Sequence, residues 1–344
     1  MAVRNWMFDR GLLSSSSAPI PTICVGNLSV GGTGKTPHTE YLLRLLQSKG
    51  WHSGMLSRGY GRSSKGYVAG NGKNALEIGD EPWQIMHSCA PAKVSVCEKR
   101  SEGLKRMLEE SDAPKVVVLD DAYQHRYITA GLYILLTDYA HPYFRDYVLP
   151  AGRLREARSG AKRADVIVVT KCPADLSEHE LEKIRQHISP RSHQQIFFSQ
   201  MVYGTPYYLY PRATETGVEK FIKIPNEVLK GEKALCVCGI AQPKPFIKHI
   251  QSLCSDVETL TFSDHHNFTK KDIQMIAQRA KYADIVITTA KDAARFSAYE
   301  LPQTLRDKLC VQPIEVKFLH QTENTFNQII LDYVTKDSTN SRMD

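Results

Sequence analysis

The feature that most constrains the fold of this chain is the run VGGTGKT from Val30 to Thr36. It follows an apolar, β-branched segment, Thr22 to Val25, and opens a helical pattern over Thr36 to Lys49. Small residues between a strand and a helix let backbone N–H groups converge on an anion at the helix N-terminus. The run therefore predicts a phosphate-binding loop, although Ser29 stands where the strict motif has glycine.

The residue types in this loop each have a chemical use. Lys35 offers a positive charge to the β and γ phosphates of a nucleotide, and the Thr36 hydroxyl is a ligand for Mg²⁺. A glycine-rich turn without a ligand is the alternative, but the strand, the glycines and the helix all agree with the loop. The predicted nucleotide-binding residues are Gly31, Gly32, Thr33, Gly34, Lys35 and Thr36.

The pattern around the loop predicts an α/β fold, a P-loop NTPase-like doubly wound parallel sheet with a second, smaller α/β domain. Predicted strands are Thr22 to Val25, Val94 to Cys97, Val116 to Leu119, Tyr133 to Leu136 and Val166 to Thr170, with helices over Thr36 to Lys49 and Ser101 to Glu110, and later strands Ala234 to Cys238, Glu258 to Phe262 and Asp284 to Thr288. We expect a P-loop kinase domain over 1–196, a β-ribbon hinge over 197–230, the smaller domain over 231–335, closing over the cleft, and a flexible tail over 336–344.

Two strand ends refine the nucleotide prediction. Asp120 and Asp121 follow the apolar run from Val116, where a carboxylate can hold Mg²⁺. A helix cap is the alternative for this pair. After Thr170, the Asp that reads guanine in GTPases is absent and Pro173 stands in its place, which favours ATP over GTP.

Composition narrows the setting of the protein. No apolar stretch approaches the roughly 20 residues of a membrane-spanning helix, and the first residues lack the apolar core of a secretion signal. We therefore expect a cytoplasmic location, where the eight cysteines stay free thiols. The net charge of +7 suits an anionic partner without choosing among nucleotide, phospholipid surface and nucleic acid.

With the phosphate loop and the paired aspartates, further motifs in the same order resemble the tetraacyldisaccharide 4′-kinase family. They are Leu56 to Arg62 (LSRGYGR), Gly79 to Pro82 (GDEP), Asp120 to Arg126 (DDAYQHR), Leu149 to Glu156 (LPAGRLRE), Cys238 to Ala241 (CGIA), Asp264 to His266 (DHH) and Thr289 to Asp292 (TAKD). Ala122 and Tyr123 depart from the Gly-Phe that the family usually has.

The resemblance implies a reaction and its setting. The γ-phosphate of ATP is expected to pass, with Mg²⁺, to the 4′-hydroxyl of a tetraacylated glucosamine disaccharide 1-phosphate, forming the 4′-phosphorylated lipid A precursor. The implied partners are this lipid-linked disaccharide and, by peripheral contact, the cytoplasmic face of the inner membrane of a Gram-negative bacterium. We expect no nucleic-acid partner, and no protein partner is indicated.

The resemblance also assigns roles to residues. Asp80 is implied as the base that accepts the hydroxyl proton, supported by His265 across the interdomain cleft, with His266 as a secondary candidate and Lys35 as the third catalytic residue. A helix cap is the alternative for Asp80, and a surface loop for the histidines. Thr36, Asp120 and Asp121 are the expected metal ligands. The expected acceptor-binding residues are Arg58, Tyr60, Glu81, Gln124, Arg153 and Arg155; solvated surface arginines are the alternative, and the basic run from Arg153 could equally face lipid headgroups.

Two other functions compete with this reading. A P-loop GTPase or ATPase of the metal-insertion or protein-targeting type would share the fold but needs a base-reading Asp after Lys171, which the chain lacks. A nucleic-acid binder is favoured by the positive charge alone, without the interleaved aromatic and basic motifs of known recognition modules.

Overall fold

Alternating apolar runs and amphipathic segments form strands and helices in the order that the sequence predicts. The computed structural model describes residues 2–213, 219–264 and 266–340. Strand Val166–Thr170 has the predicted bounds, and the remaining predicted strands are present with ends shifted by one or two residues. The strand Ser53–Ser57 was not predicted, because its sequence SGMLS carries little of the β-branched signal.

The helices are α1 (Ala2–Asp9), α2 (Lys35–Ser48), α3 (Ala75–Ile78), α4 (Asp80–Ser88), α5 (Arg100–Leu108), α6 (Glu178–Ile188), α7 (Asn226–Leu229), α8 (Pro243–Leu253), α9 (Lys270–Arg279), α10 (Ala290–Phe296), α11 (Gln303–Arg306) and α12 (Glu323–Asn340). The strands are β1 (Ser16–Ser17), β2 (Thr22–Asn27), β3 (Ser53–Ser57), β4 (Val68–Ala69), β5 (Lys93–Val96), β6 (Val116–Asp120), β7 (Ile128–Thr129), β8 (Leu132–Asp138), β9 (Val166–Thr170), β10 (Gln195–Tyr203), β11 (Tyr207–Tyr208), β12 (Arg212–Ala213), β13 (Glu219–Lys220), β14 (Lys233–Cys238), β15 (Asp256–Thr261), β16 (Ile285–Thr289), β17 (Leu309–Gln312) and β18 (Ile314–Phe318).

The chain divides into two compact units. The first contains residues 1–73, 85–202 and 315–344. Within its described residues, nine strands form one sheet in the order β18-β10-β9-β8-β2-β6-β3-β5-β4. The pairs from β10 through β5 are parallel, and β4 is antiparallel to β5. The order places β2, which leads into the phosphate loop, beside β6 and β8.

Both faces of this sheet are buried, as the continuous apolar strands require. Along β6, Val116 and Val118 belong to one apolar cluster, while Val117 and Leu119 belong to another. Successive side chains of a strand point to opposite faces, so two separate cores imply helices on both sides of the sheet. The predicted doubly wound arrangement is therefore present.

The second unit contains residues 74–84 and 203–314. Five of its described strands form a sheet in the order β11-β17-β16-β14-β15, parallel except for the pair β11 and β17, and β12 pairs with β13 in a separate antiparallel ribbon. Its core includes Cys236, Ile250 and Ile287, all fully buried.

The two units differ from the expected domain boundaries at three places. Residues 74–84 belong to the second unit, because α3 packs on α10 and the Ala75 N–H donates to Ser297 Oγ at 3.1 Å. Residues 315–344 belong to the first unit, because α12 buries Ile330 and Val334 in the core that contains β2 and β6. Strand β10 continues to Tyr203, so the sheet extends into the expected hinge.

The expected tail also differs. Helix α12 continues past Lys336 as far as Asn340, and residues 341–344 lie outside the described part. No described helix combines the length and the apolar character needed to cross a membrane. All eight cysteines are buried free thiols, in keeping with their positions in apolar segments.

Candidate active site

The phosphate loop joins the end of β2 at Asn27 to the start of α2 at Lys35. Gly34 takes a φ of 84°, which favours glycine, and a Cβ at this position would lie 2.3 Å from the Met201 methyl carbon. Both facts require glycine immediately before the helix. The loop therefore presents the first turn of α2, with its unsatisfied N–H groups, as an anion site.

Side chains below the loop hold its shape. Asn27 Nδ2 donates to Thr33 Oγ1 at 2.9 Å, and Thr170 Oγ1 donates to the Thr33 carbonyl at 2.9 Å. Thr33 is buried, so its side chain braces the loop. The Thr170 contact thus ties the end of β9 to the phosphate loop.

His38, one turn into α2, is a residue that the sequence analysis missed. Its Nδ1 lies 2.7 Å from the Gly34 carbonyl and its Nε2 lies 3.1 Å from Ser199 Oγ. Burial lowers the pKa of His38 to about 4, so the ring is neutral at pH 7. The sequence signal that could have identified this contact is a histidine four residues after the last glycine of the phosphate loop, one helical turn away.

Asp120 and Asp121 occupy different environments at the end of β6. Asp120 is buried and accepts hydrogen bonds from Thr39 Oγ1 and Ser57 Oγ, both at 3.2 Å. Asp121 has a positive φ of 46° and is partly exposed. This change in backbone direction turns the second carboxylate away from the sheet interior.

Asp121 lies between two cations. Lys35 Nζ is 3.6 Å from Asp121 Oδ1, and one guanidinium nitrogen of Arg155 is 3.2 Å from both carboxylate oxygens. Burial opposes the charged form, but Lys35 and Arg155 outweigh it and the pKa of Asp121 is lowered. The structure thus brings together three of the predicted residues, one from each of three separate motifs.

The phosphate loop and the end of β6 carry oxygen donors of the type that binds Mg²⁺. Thr36 offers a hydroxyl, and Asp120 and Asp121 offer carboxylates, which are the hard donors that Mg²⁺ prefers. A Mg²⁺ ion usually binds one or two carboxylates and completes its coordination shell with water and substrate phosphate. A site with only a few protein ligands is therefore sufficient for it. In the described part of the chain, no three or more His, Cys, Asp or Glu side chains cluster in a way that could hold a metal ion by themselves.

Gln124 has a different environment from the one expected of an acceptor-binding residue. Its Nε2 donates to the Asn27 carbonyl at 2.8 Å and to Glu156 Oε1 at 3.0 Å, and the residue is buried. Glu156 is also buried and pairs with Arg163 at 2.9 Å. These bonds connect the DDAYQHR and LPAGRLRE motifs to β2, the strand that precedes the phosphate loop. The Gln124 side chain therefore stabilises the structure beside the loop.

The predicted arginines lie in two places in the first unit. The Arg153 carbonyl accepts from the Val30 N–H at 2.8 Å, and the Arg155 N–H donates to the Leu28 carbonyl at 2.7 Å, so this segment is tied to the phosphate loop. Arg58 and Tyr60 are exposed and line an open cleft of about 250 Å³. Arg58 follows β3, whose neighbour β6 ends at Asp120, directly before Asp121.

Asp80, Glu81 and the histidine motif belong to the second unit. Asp80 begins α4 and its Oδ2 accepts from Arg295 Nε at 3.0 Å, and Glu81 beside it is half-buried. His265 lies outside the described residues. His266 stacks on Phe262, and its Nε2 lies 3.1 Å from Asp272 at the start of α9, which identifies a structural contact for the secondary candidate.

Comparison with known proteins decides the family. The sequence profile of the tetraacyldisaccharide-1-P 4′-kinase family, LpxK, matches residues 1–335. A tetraacyldisaccharide 4′-kinase of Bacteroides thetaiotaomicron is 41% identical over 348 residues, which cover 99% of this chain and 91% of the relative. The chain belongs to this family.

Further relatives of the LpxK family agree. A tetraacyldisaccharide 4′-kinase of Flavobacterium johnsoniae is 43% identical over 334 residues, covering 97% of this chain and 93% of the relative. The crystal structure of LpxK from Aquifex aeolicus, described as an "apo" form in complex with ATP, superposes with a TM-score of 0.72 at 29% identity, covering 96% of this chain and 94% of that one. The predicted family, fold class and kinase activity are confirmed, and the GTPase alternative is not favoured.

Proposed function

We propose that this LpxK-family kinase transfers the γ-phosphoryl group of ATP to the 4′-hydroxyl of a tetraacylated glucosamine disaccharide 1-phosphate. The product is the 4′-phosphorylated lipid A precursor. The observation that carries the proposal is the cluster of Lys35, Asp121 and Arg155 beside the glycine-rich loop, in a chain that belongs to this family throughout. Such a cluster has the charges that phosphoryl transfer needs to position and neutralise phosphates.

The nucleotide half of the mechanism rests on the first unit. Backbone N–H groups of the loop and the first turn of α2 hold the phosphates, and Lys35 neutralises negative charge on the β and γ groups. Thr36, Asp120 and Asp121 would hold Mg²⁺, which supplies charge neutralisation between the two phosphates when bound. Thr33 and His38 keep the loop in its binding shape through the contacts described above.

The chemical step is a single displacement. The 4′-oxygen forms a bond to the γ-phosphorus, the bond from that phosphorus to the β–γ bridging oxygen breaks, and ADP leaves. In this proposal Asp80 accepts the hydroxyl proton, and His265 keeps the supporting role that the family resemblance implies. Positioning and charge neutralisation supply most of the rate enhancement in reactions of this type.

The acceptor carries an anionic group of its own, the 1-phosphate. We assign Arg58, Tyr60 and Arg153 to acceptor binding, since guanidinium forks suit phosphate and these side chains are exposed. We also assign Arg155 to acceptor binding; it pairs with Asp121 at 3.2 Å, and Asp121 in turn lies 3.6 Å from Lys35. Glu81 remains assigned to the acceptor as well, whereas Gln124 is reassigned to support of the loop.

The proposal includes peripheral contact with an anionic membrane surface, on the cytoplasmic face of the inner membrane of a Gram-negative bacterium. The formal charge of +7 favours such a surface. On α1, Val3 and Trp6 are 72% and 52% exposed, which provides apolar side chains for the lipid interface.

The direct test is transfer of label from [γ-³²P]ATP. Purified protein, Mg²⁺ and the tetraacylated disaccharide 1-phosphate should yield a labelled lipid with one added phosphate, and mass spectrometry should place it at the 4′ position. The control acceptor lacks the 4′-hydroxyl and should take no label. Lys35→Ala should lose more than tenfold in kcat, because it removes charge stabilisation from the transition state. Absence of labelled lipid with the intact acceptor would refute the proposed function.

A further inference from the structure

A buried charge cluster in the second unit connects Asp80 to two motifs that the mechanism has not used. Arg295 on α10 donates from Nε to Asp80 Oδ2 at 3.0 Å. From another nitrogen, Nη1, it donates to Asp292 Oδ1 at 3.0 Å and to the Gly239 carbonyl at 3.2 Å. One guanidinium therefore links the GDEP, CGIA and TAKD motifs.

The far side of this cluster is rigidly held. Asp292 is completely buried, and its Oδ2 accepts from the Gly239 N–H at 2.9 Å and from Thr289 Oγ1 at 2.7 Å. Its Oδ1 accepts from Arg295, which is itself only 9% exposed. A buried carboxylate and a backbone carbonyl thus fix the guanidinium independently of its contact with Asp80.

The Asp80 end of the cluster is more exposed to solvent than the Asp292 end. The Asp80 side chain is 37% exposed. Solvent screens an ion pair whose carboxylate is this exposed, so the pair contributes little to stability. Burying a guanidinium and a second carboxylate to hold such a carboxylate is therefore poorly explained by stability alone. The arrangement instead sets the direction of the Asp80 carboxylate, since Nε engages one of its two oxygens.

We propose that Arg295 is a positioning residue for Asp80, orienting the carboxylate so that it can accept the proton of the acceptor hydroxyl. This inference rests on the proposed function and adds to it a residue outside the motifs that carry the family resemblance. Arginine is required because Nε and Nη1 reach two carboxylates at once. The single ammonium of lysine keeps the charge but cannot reproduce that fork.

A double-mutant cycle in kcat tests the proposal at saturating ATP and acceptor. Arg295→Gln should lower kcat about 10- to 100-fold with little change in the KM for ATP, and Asp80→Asn should lower it about 10²- to 10⁴-fold. The double variant should match Asp80→Asn within about threefold, because residues that act as a unit are non-additive. A purely structural Arg295 would instead give losses that multiply.

Two further variants separate positioning from folding. Arg295→Lys keeps a cation beside Asp292 and should keep the melting temperature near that of the wild type, yet still lose kcat; it carries the test alone if Arg295→Gln does not fold. Arg279→Gln, which breaks the exposed pair with Glu258 in the same unit, should leave kcat unchanged. Wild-type activity is measured first. An inactive wild type refutes the proposed function, whereas an active wild type with full kcat in both Arg295 variants refutes this inference alone.

Discussion

At the scale of single residues, the neighbours Asp120 and Asp121 show how position decides role. Asp120 is the last residue of β6 and is held by two hydroxyl groups in the interior. Asp121, one residue later, turns through a positive φ and meets Lys35 and Arg155. The same chemical group is therefore buried and hydrogen-bonded at one position and partly exposed between two cations at the next.

This difference predicts unequal effects on metal dependence. Asp121→Asn should raise the Mg²⁺ concentration for half-maximal activity by about tenfold or more, ~1.4 kcal/mol of metal binding. Asp120→Asn should shift it less and should also lower the melting temperature, because Thr39 and Ser57 lose a charged acceptor. The control is Asp138→Asn, which changes the carboxylate paired with Lys171 near the end of β8. Mg²⁺ titrations identical to the wild type for both the Asp120 and the Asp121 variant would contradict the metal assignment.

His38 predicts how stability depends on pH. The unfolded chain binds a proton at His38 near pH 6.5, whereas burial holds the folded pKa at about 4. Between these values the unfolded state carries more protons, so stability falls as pH falls. From pH 7 to pH 5 this residue alone should cost about 2 kcal/mol of unfolding free energy.

The measurement is urea unfolding of wild type and His38→Gln at both pH values. The variant should lose less free energy than the wild type on acidification. The same substitution at exposed His141 should leave the wild-type loss unchanged. An equal loss in wild type and His38→Gln would show that folding does not lower the pKa of His38.

At the scale of elements, α12 completes the first unit from the far end of the sequence. Phe326, Ile330 and Val334 are each at most 1% exposed and lie in the same apolar cluster as Ile23 of β2 and Val118 of β6. Their spacing of four residues places them on one face of the helix. The strand that leads into the phosphate loop is thus covered by α12, the last of the described helices.

Truncation of this face should destabilise the first unit. Ile330→Ala removes a fully buried side chain and should cost about 2–5 kcal/mol of unfolding free energy. Thr325→Ala, on the exposed face of the same helix, should change it by less than about 0.5 kcal/mol. Chemical unfolding with both variants checks this, and equal effects would mean that α12 does not contribute to the core.

At the scale of the whole molecule, each unit is assembled from segments far apart in sequence. The second unit takes residues 74–84 from within the span of the first, and the first takes residues 315–344 from beyond the second. Asp80 is 215 positions from Arg295, yet the two side chains lie 3.0 Å apart within one unit. The periodicity of a sequence does not indicate contacts between residues so far apart in the chain.

The sequence by itself determined the fold class, the phosphate loop and most strands, because these depend on local signals: continuous apolar runs, glycine where φ is positive, and Lys-Thr at a helix start. Tertiary structure alone decided that Asp120 is hydrogen-bonded by Thr39, that Gln124 donates to the Asn27 carbonyl, that His38 is neutral and that Asp80 is bonded to Arg295. Those outcomes depend on burial and on the pairing of distant side chains. Residue identity specifies which groups can ionise or donate, but only packing sets their partners and their access to water.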